Sequence, residues 1–270
     1  MLEKNREHQA LLERLTGLRY PAVALKMIGE GDEVPAGALR PMQDTGKHIA
    51  LCQAFAFSRR QGKTVYMEKQ DHWCWNPILT YGMIDKELGK EGFRAIHRQQ
   101  GGDENASDAF VESFPYLPAG KYRGILTAPL SQAAFAPDLT MIYCKNDQLR
   151  LLIMAIDSQT HAMVESSFAP IDSCTYAVIP ALLEGCYRIT LPDPGEYERA
   201  LTPDDDIILT VPRQHEEEFY RGVAHQLGRG SDRNSFFMTM KEEFARPPMY
   251  NTLFETWGLM TGEDWDKKKK

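Results

Sequence analysis

KHIALCQAFAFSRRQGKTVYMEKQDHWCWNPILTYGM, residues 47–83, reads as a helix, a strand and a second helix in succession. From Lys47 to Arg60 the apolar residues Ile49, Ala50, Ala54 and Phe57 recur at helical spacing, and Gly62 ends the run. Thr64 to Glu68 (TVYME) has the β-branched and aromatic content of a strand. Asn76 to Leu88 returns to helical spacing just after Cys74.

The pattern continues outward in both directions. Upstream, Met1 to Tyr20 alternates charges with Leu11, Leu12, Leu15 and Leu18, an amphipathic helix ending near Gly17. Ala22 to Ile28 is a strand, followed by a Gly- and Pro-rich loop over 29–46. Downstream, Gly101 to Pro118 mixes Gly, Asp, Ser and Pro and reads as a surface connection or lid. Strands are expected at Gly124–Leu130, Leu139–Cys144 and Asp206–Val211. Helices are expected at Gln148–Ser158 and within Pro212–Leu227, with an apolar segment at Tyr176–Leu183. Alternating strands and helices predict an α/β or α+β fold, a mixed sheet flanked by helices. The expected organisation is one two-lobed domain over 1–270, with related halves 20–118 and 119–230 and a C-terminal extension 231–270.

Charge and hydropathy exclude several classes. A net charge of -7 leaves no basic field for nucleic acid or anionic lipid. No apolar run approaches the roughly 20 residues that span a bilayer, and the first helix lacks the basic-then-apolar pattern of a secretion signal. The expectation is a cytoplasmic protein, with no membrane or nucleic-acid partner, that acts on a small molecule; a homo-oligomer is compatible with it. Lys267 to Lys270 reads as a solvated tail. Nucleotide-loop, zincin and serine-hydrolase motifs are absent from the sequence.

Of the five cysteines, four carry the chemistry: Cys52, Cys74, Cys174 and Cys186. A reducing compartment makes them thiols rather than a disulfide framework. No pair has the C-x-x-C spacing of a zinc ribbon or a thioredoxin-like site, and none follows a ferredoxin run. Cys52, Cys74, Cys174 and Cys186 each lie near a helix end or turn, where backbone amides favour a thiolate. Small hydrophobic packing is the competing reading of every one.

The segment 47–83, followed by DSCTYAVIP (172–180), EGCYRITL (184–191) and DDDIILTVPRQHEEEF (204–219), resembles the uncharacterised DUF169 family. The resemblance runs from about Tyr20 to Leu227 and is marked by Cys52, Cys74 and Cys174. Cys186 is similar to the family's late Gly-Cys turn, but Tyr187 stands where a glycine is more usual. Cys144 matches no marker and reads as core. The resemblance implies a gathered thiol set and no particular reaction.

Gathered thiolates select zinc, copper(I) or iron-sulfur clusters. The expectation is a [4Fe-4S] cluster on Cys52, Cys74 and Cys174, with Cys186 as a fourth ligand or none, in an iron-sulfur-dependent lyase or reductase of anaerobic metabolism. With three thiolates one iron is open to serve as a Lewis acid; with four, electron transfer or redox sensing is more natural. The alternatives are a ligand-binding or redox-sensing module with zinc or free thiols, and a thiol enzyme with one nucleophilic cysteine. His72, Arg59 and Arg60 are the candidates to orient a substrate. An exposed histidine and helix-terminal cations are their ordinary structural readings. Trp73 and Trp75 bracket Cys74 and could screen a cluster or pack as core. Lys47 and His48 are either anion-binding residues or solvated ones.

Overall fold

Six strands form one sheet in the computed structural model, which describes residues 1–100, 103–161, 163–169, 171–230 and 248–258. They are β1 (Val23–Ile28), β2 (Val65–Glu68), β3 (Gly124–Pro129), β4 (Leu139–Cys144), β5 (Arg188–Thr190) and β6 (Ile207–Pro212). The order is β2-β3-β1-β4-β6-β5. Every pairing is antiparallel, with Leu25 opposite both Thr127 and Leu139, and Met141 opposite Thr210. The fold is α/β as expected, but its sheet is antiparallel rather than mixed. β1 and β2, joined through helices, run the same way, yet β3 is inserted between them and no parallel ladder forms.

The helices are α1 (Leu2–Thr16), α2 (Pro41–Thr45), α3 (Leu51–Gln61), α4 (Trp75–Thr80), α5 (Lys86–Gln100) and α6 (Glu104–Glu112), then α7 (Asn146–Thr160), α8 (Ser173–Tyr176), α9 (Ile179–Glu184), α10 (Pro194–Ala200), α11 (Glu216–Gly228) and α12 (Pro248–Thr256). They belong to two compact units, Met1–Ser235 and Phe236–Lys270, and the described part of the second is α12 with the two residues after it. The Lys267–Lys270 tail lies outside the described residues. No helix of the described residues is long and apolar enough to cross a membrane.

Side-chain alternation along the strands separates two faces. Val23, Leu25 and Met27 of β1, with Leu139, Met141 and Tyr143 of β4, share one core with Leu51, Ala54 and Phe55 of α3 and with Cys174. The intervening Thr140, Ile142 and Cys144 take the opposite face. α7 and α11 meet where Gly222 has no side chain, since a Cβ there would come 2.1 Å from the Ala155 carbonyl oxygen.

Three expected elements change. The helix expected from Lys47 begins at Leu51, because the Ile49 backbone pairs with the segment around His72: the Ile49 amide donates to Asp71 O at 2.9 Å, and the Trp73 amide to Ile49 O at 2.8 Å. The helix expected over 76–88 is two helices, split at Gly82, whose φ of 69° lies in the left-handed region. A Cβ at Gly82 would stand 2.6 Å from Pro118 O, so this turn is also a close backbone contact. The expected loop at 101–118, of which 101 and 102 lie outside the described residues, contains α6, started by the Asp103 side chain accepting the Asn105 amide at 2.9 Å.

A candidate thiol site between four helices

The Ile49–His72 bridge brings the start of α3, which carries Cys52, beside the segment that enters α4 at Cys74. Cys52, buried on α3, donates its thiol to the Gly195 carbonyl of α10 at 3.6 Å. Cys74 is half-buried at the N-cap of α4. Cys174 is the second residue of α8 and is buried.

Hydrogen bonds between side chains and backbone lock these helices together. The Tyr81 hydroxyl donates to Cys174 O at 2.7 Å. Thr175 donates to the Asn76 carboxamide oxygen and lies 3.1 Å from the Thr80 hydroxyl, tying α8 to α4. Asp193 accepts the Ser173 amide at 2.8 Å on one oxygen and the Glu196 amide at 2.9 Å on the other, tying α8 to the start of α10. Asp172, the residue that starts α8, has φ 60° and ψ 44°, a left-handed conformation that a non-glycine residue adopts at a cost.

Cys52 and Cys74 both act on Cys174. Burial pushes the Cys174 thiol up first, and the neighbouring charges of Cys52, Asp193, Cys74 and Asp172 push the same way. Burial holds Cys52 at about 12, with Glu196 adding to the shift and Arg199 opposing it. Cys74 is raised by burial, against the Asn76 amide and Arg199. Helix-start amides were expected to favour thiolates, and the Asn76 amide does pull Cys74 down, but desolvation outweighs it.

The other expected site residues are distributed differently. Cys186 lies between α9 and β5, its thiol 3.5 Å from Glu184 Oε2, in a surface cleft with Met163, Tyr187 and Arg188. Glu184 and Arg188 are the charges that act on it, whereas Arg199 and Asp193 act on both Cys52 and Cys74. Cys144 is buried in β4. His72 is buried rather than exposed, with neither ring nitrogen hydrogen-bonded, and burial pushes it down to about 4. Arg59 is buried against the Tyr143 ring at 3.9 Å, donates to Thr202 Oγ1 at 2.7 Å and lies 3.6 Å from Asp206. Arg60 donates to Ala200 O at 3.1 Å and Leu201 O at 2.7 Å, closing the end of α10. Trp73 is exposed, and Trp75 joins Phe93, Phe110 and Phe114 beneath α5 and α6. Lys47 and His48 are exposed.

Arg199, Asp172, Asp193 and Glu196 were not singled out in the sequence. Asp193-Pro194 is an N-cap followed by a first-turn proline, a helix-start signal that could have placed α10. Tyr143 donates to Glu196 Oε1 at 2.8 Å and Thr202 to Oε2 at 2.7 Å, and burial raises this carboxyl to about 7.

The family model of DUF169, described as uncharacterised ArCR, matches residues 11–222, a span that includes every residue of this site. The chain belongs to the DUF169 family. No curated protein and no solved structure matches it. The match agrees with the resemblance carried by the cysteine segments, and the DUF169 region contains all six strands of the sheet. Among the described residues, no three His, Cys, Asp or Glu side chains are grouped so as to hold a single metal ion.

Proposed function

We propose that Cys52, Cys74 and Cys174 of this DUF169 protein hold an iron-sulfur cluster, and that the chain acts on a small molecule beside it as an iron-sulfur-dependent lyase or reductase of anaerobic metabolism in the cytoplasm. The observation that carries this reading is the convergence on Cys174: buried on α8, it is raised by both Cys52 and Cys74, which come from two other helices. A cluster bound by three thiolates supplies an open iron with Lewis-acid character.

The protein's own part is to bind, screen and neutralise. The thiols are held protonated by burial, so ligation must release their protons and will be favoured as pH rises. Arg199 opposes the negative charge at Cys52 and Cys74. Trp75 and the Phe93, Phe110 and Phe114 rings form an apolar wall next to Cys74. Cys186 sits in a different cleft and is left out of the proposed ligand set.

The same burial suits a second reading, a ligand-binding module without turnover whose thiols stay protonated and metal-free. Anaerobic purification and reconstitution with iron and sulfide separates the two. The cluster reading expects iron and sulfide bound in comparable amounts, with a broad visible absorption that Cys74→Ser abolishes. Iron-free chains after reconstitution, or unchanged iron in Cys74→Ser, would overturn it.

A further inference from the structure

Arg199 occupies a place at the thiol site that the expected arginines do not. Arg59 and Arg60 have their guanidinium groups committed to Thr202, Asp206 and the end of α10. Arg199, in the last turn of α10, folds back over the helix start: a Cβ at Gly195 would stand 2.0 Å from its Nη2. Gly195 is also the residue whose carbonyl accepts the Cys52 thiol. On its other side the guanidinium carbon lies 4.9 Å from the centre of the Trp73 ring, next in sequence to Cys74. Arg199 therefore stands between the Cys52 and Cys74 segments, half-buried, beneath an indole that is 61% exposed.

Its hydrogen-bonding capacity is incompletely used. Its side chain hydrogen-bonds the Cys52 thiol and Nη1 lies 3.8 Å from the Glu198 carboxylate, but Nε is buried without a partner. Across Asp193, the Ser173 hydroxyl is also unpartnered in a residue only 2% exposed. Unsatisfied buried donors of this kind are costly unless a ligand completes them.

We propose that Arg199 is the substrate-recognition residue of the thiol site, binding the carboxylate of a small mono-anionic molecule, with the Ser173 hydroxyl as a second donor. A planar guanidinium matches a carboxylate in shape and charge. The acidic surroundings set the charge limit: Asp172 starts α8 and Asp193 bridges α8 to α10, and one arginine among these carboxylates cannot offset a dianionic phosphate. Trp73 offers an exposed apolar face for the remainder of the molecule. This deepens the proposed function and takes its reaction from it, while carboxylate binding can be tested without the cluster.

The test uses the full chain without metal and two alkylating probes of nearly equal size, anionic iodoacetate and neutral iodoacetamide, with labelling of Cys74 distinguished from Cys186 by peptide mass. Relative to glutathione, wild type should favour iodoacetate at Cys74 by about tenfold, the scale of one charge-assisted hydrogen bond. Arg199→Gln should remove the preference and Arg199→Lys should keep part of it. Acetate, but neither acetamide nor phosphate, should protect wild-type Cys74 from iodoacetamide. A wild-type preference equal to that of glutathione, or one retained in Arg199→Gln, would overturn the proposal. Equal protection by phosphate would overturn the carboxylate assignment. Should Arg199→Gln not fold, absence of acetate protection in wild type rejects the proposal unaided. Iron content after reconstitution reports separately on the cluster, so failure of either reading is seen on its own.

Discussion

The Tyr81 hydroxyl donates to the backbone carbonyl of Cys174 at 2.7 Å, from a phenol that is itself fully buried. One side chain just past α4 thereby fixes the position of α8 and the thiol on it. Tyr81→Phe leaves that carbonyl without its partner at nearly unchanged volume. The expected cost is about 1–2 kcal/mol in denaturant unfolding, together with lower iron retention after reconstitution. Wild-type stability and iron content in the variant would show that the contact does not position Cys174.

Cys144 takes the face of β4 opposite Tyr143, so it should act as packing alone. Cys144→Ala is expected to cost about 1 kcal/mol and to leave reconstituted iron unchanged. A loss of iron would mean that the ligand set has been drawn from the wrong face of the sheet.

Cys186 shares its cleft with Glu184 and Arg188, and Arg199, Asp193 and Glu196 do not line it. Cys186→Ser should therefore keep iron, sulfide and the visible spectrum, whereas Cys52→Ser, Cys74→Ser and Cys174→Ser should each lose them. Release or conversion of the cluster in Cys186→Ser would close the open-iron reading.

The strands were legible where they were long and apolar: β1, β2, β3, β4 and β6 all fall within one or two residues of their expected positions. β5 was not, because three residues, Arg188–Thr190, carry too little periodicity to register. The late start of α3 was hidden as well, since a tertiary bridge to His72 holds Ile49 extended against its local helical pattern. α6 was hidden by the Asp and Ser content of its segment, and only the spacing of Phe110, Val111 and Phe114 hinted at its packing face. At the site, the cysteines were visible as residues, but the Ile49–His72 bridge that sets α3 beside the entry to α4 is a long-range pairing that no local pattern encodes. Arg199 was invisible for a related reason: its importance comes from folding back over Gly195, not from its neighbours in sequence.

Glu196 provides a pH test that separates buried charge from metal chemistry. Its carboxyl is fully buried and raised to about 7 from 4.5, with burial the leading cause and the Thr202, Arg59 and Tyr143 contacts pulling the other way. The folded state thus holds a proton that the unfolded chain has already lost. The stability linked to this group is fully present below 4.5 and is lost as pH rises through about 7. His72, lowered by burial to about 4 from 6.5, has the opposite slope, its stabilising contribution being lost as pH falls through that window, so wild type partly conceals both effects. Glu196→Gln keeps the shape and cannot ionise. The stability of the variant relative to wild type should therefore rise with pH, gaining about 2–3 kcal/mol between pH 4.5 and about pH 8. Because the Glu196 charge also raises Cys52, that thiol should ionise at lower pH in the variant. Urea unfolding across the pH range, in chains prepared without metal, measures the first effect, and alkylation rates at Cys52 measure the second. A stability difference independent of pH would mean that Glu196 stays ionised in the fold, held there by Arg59.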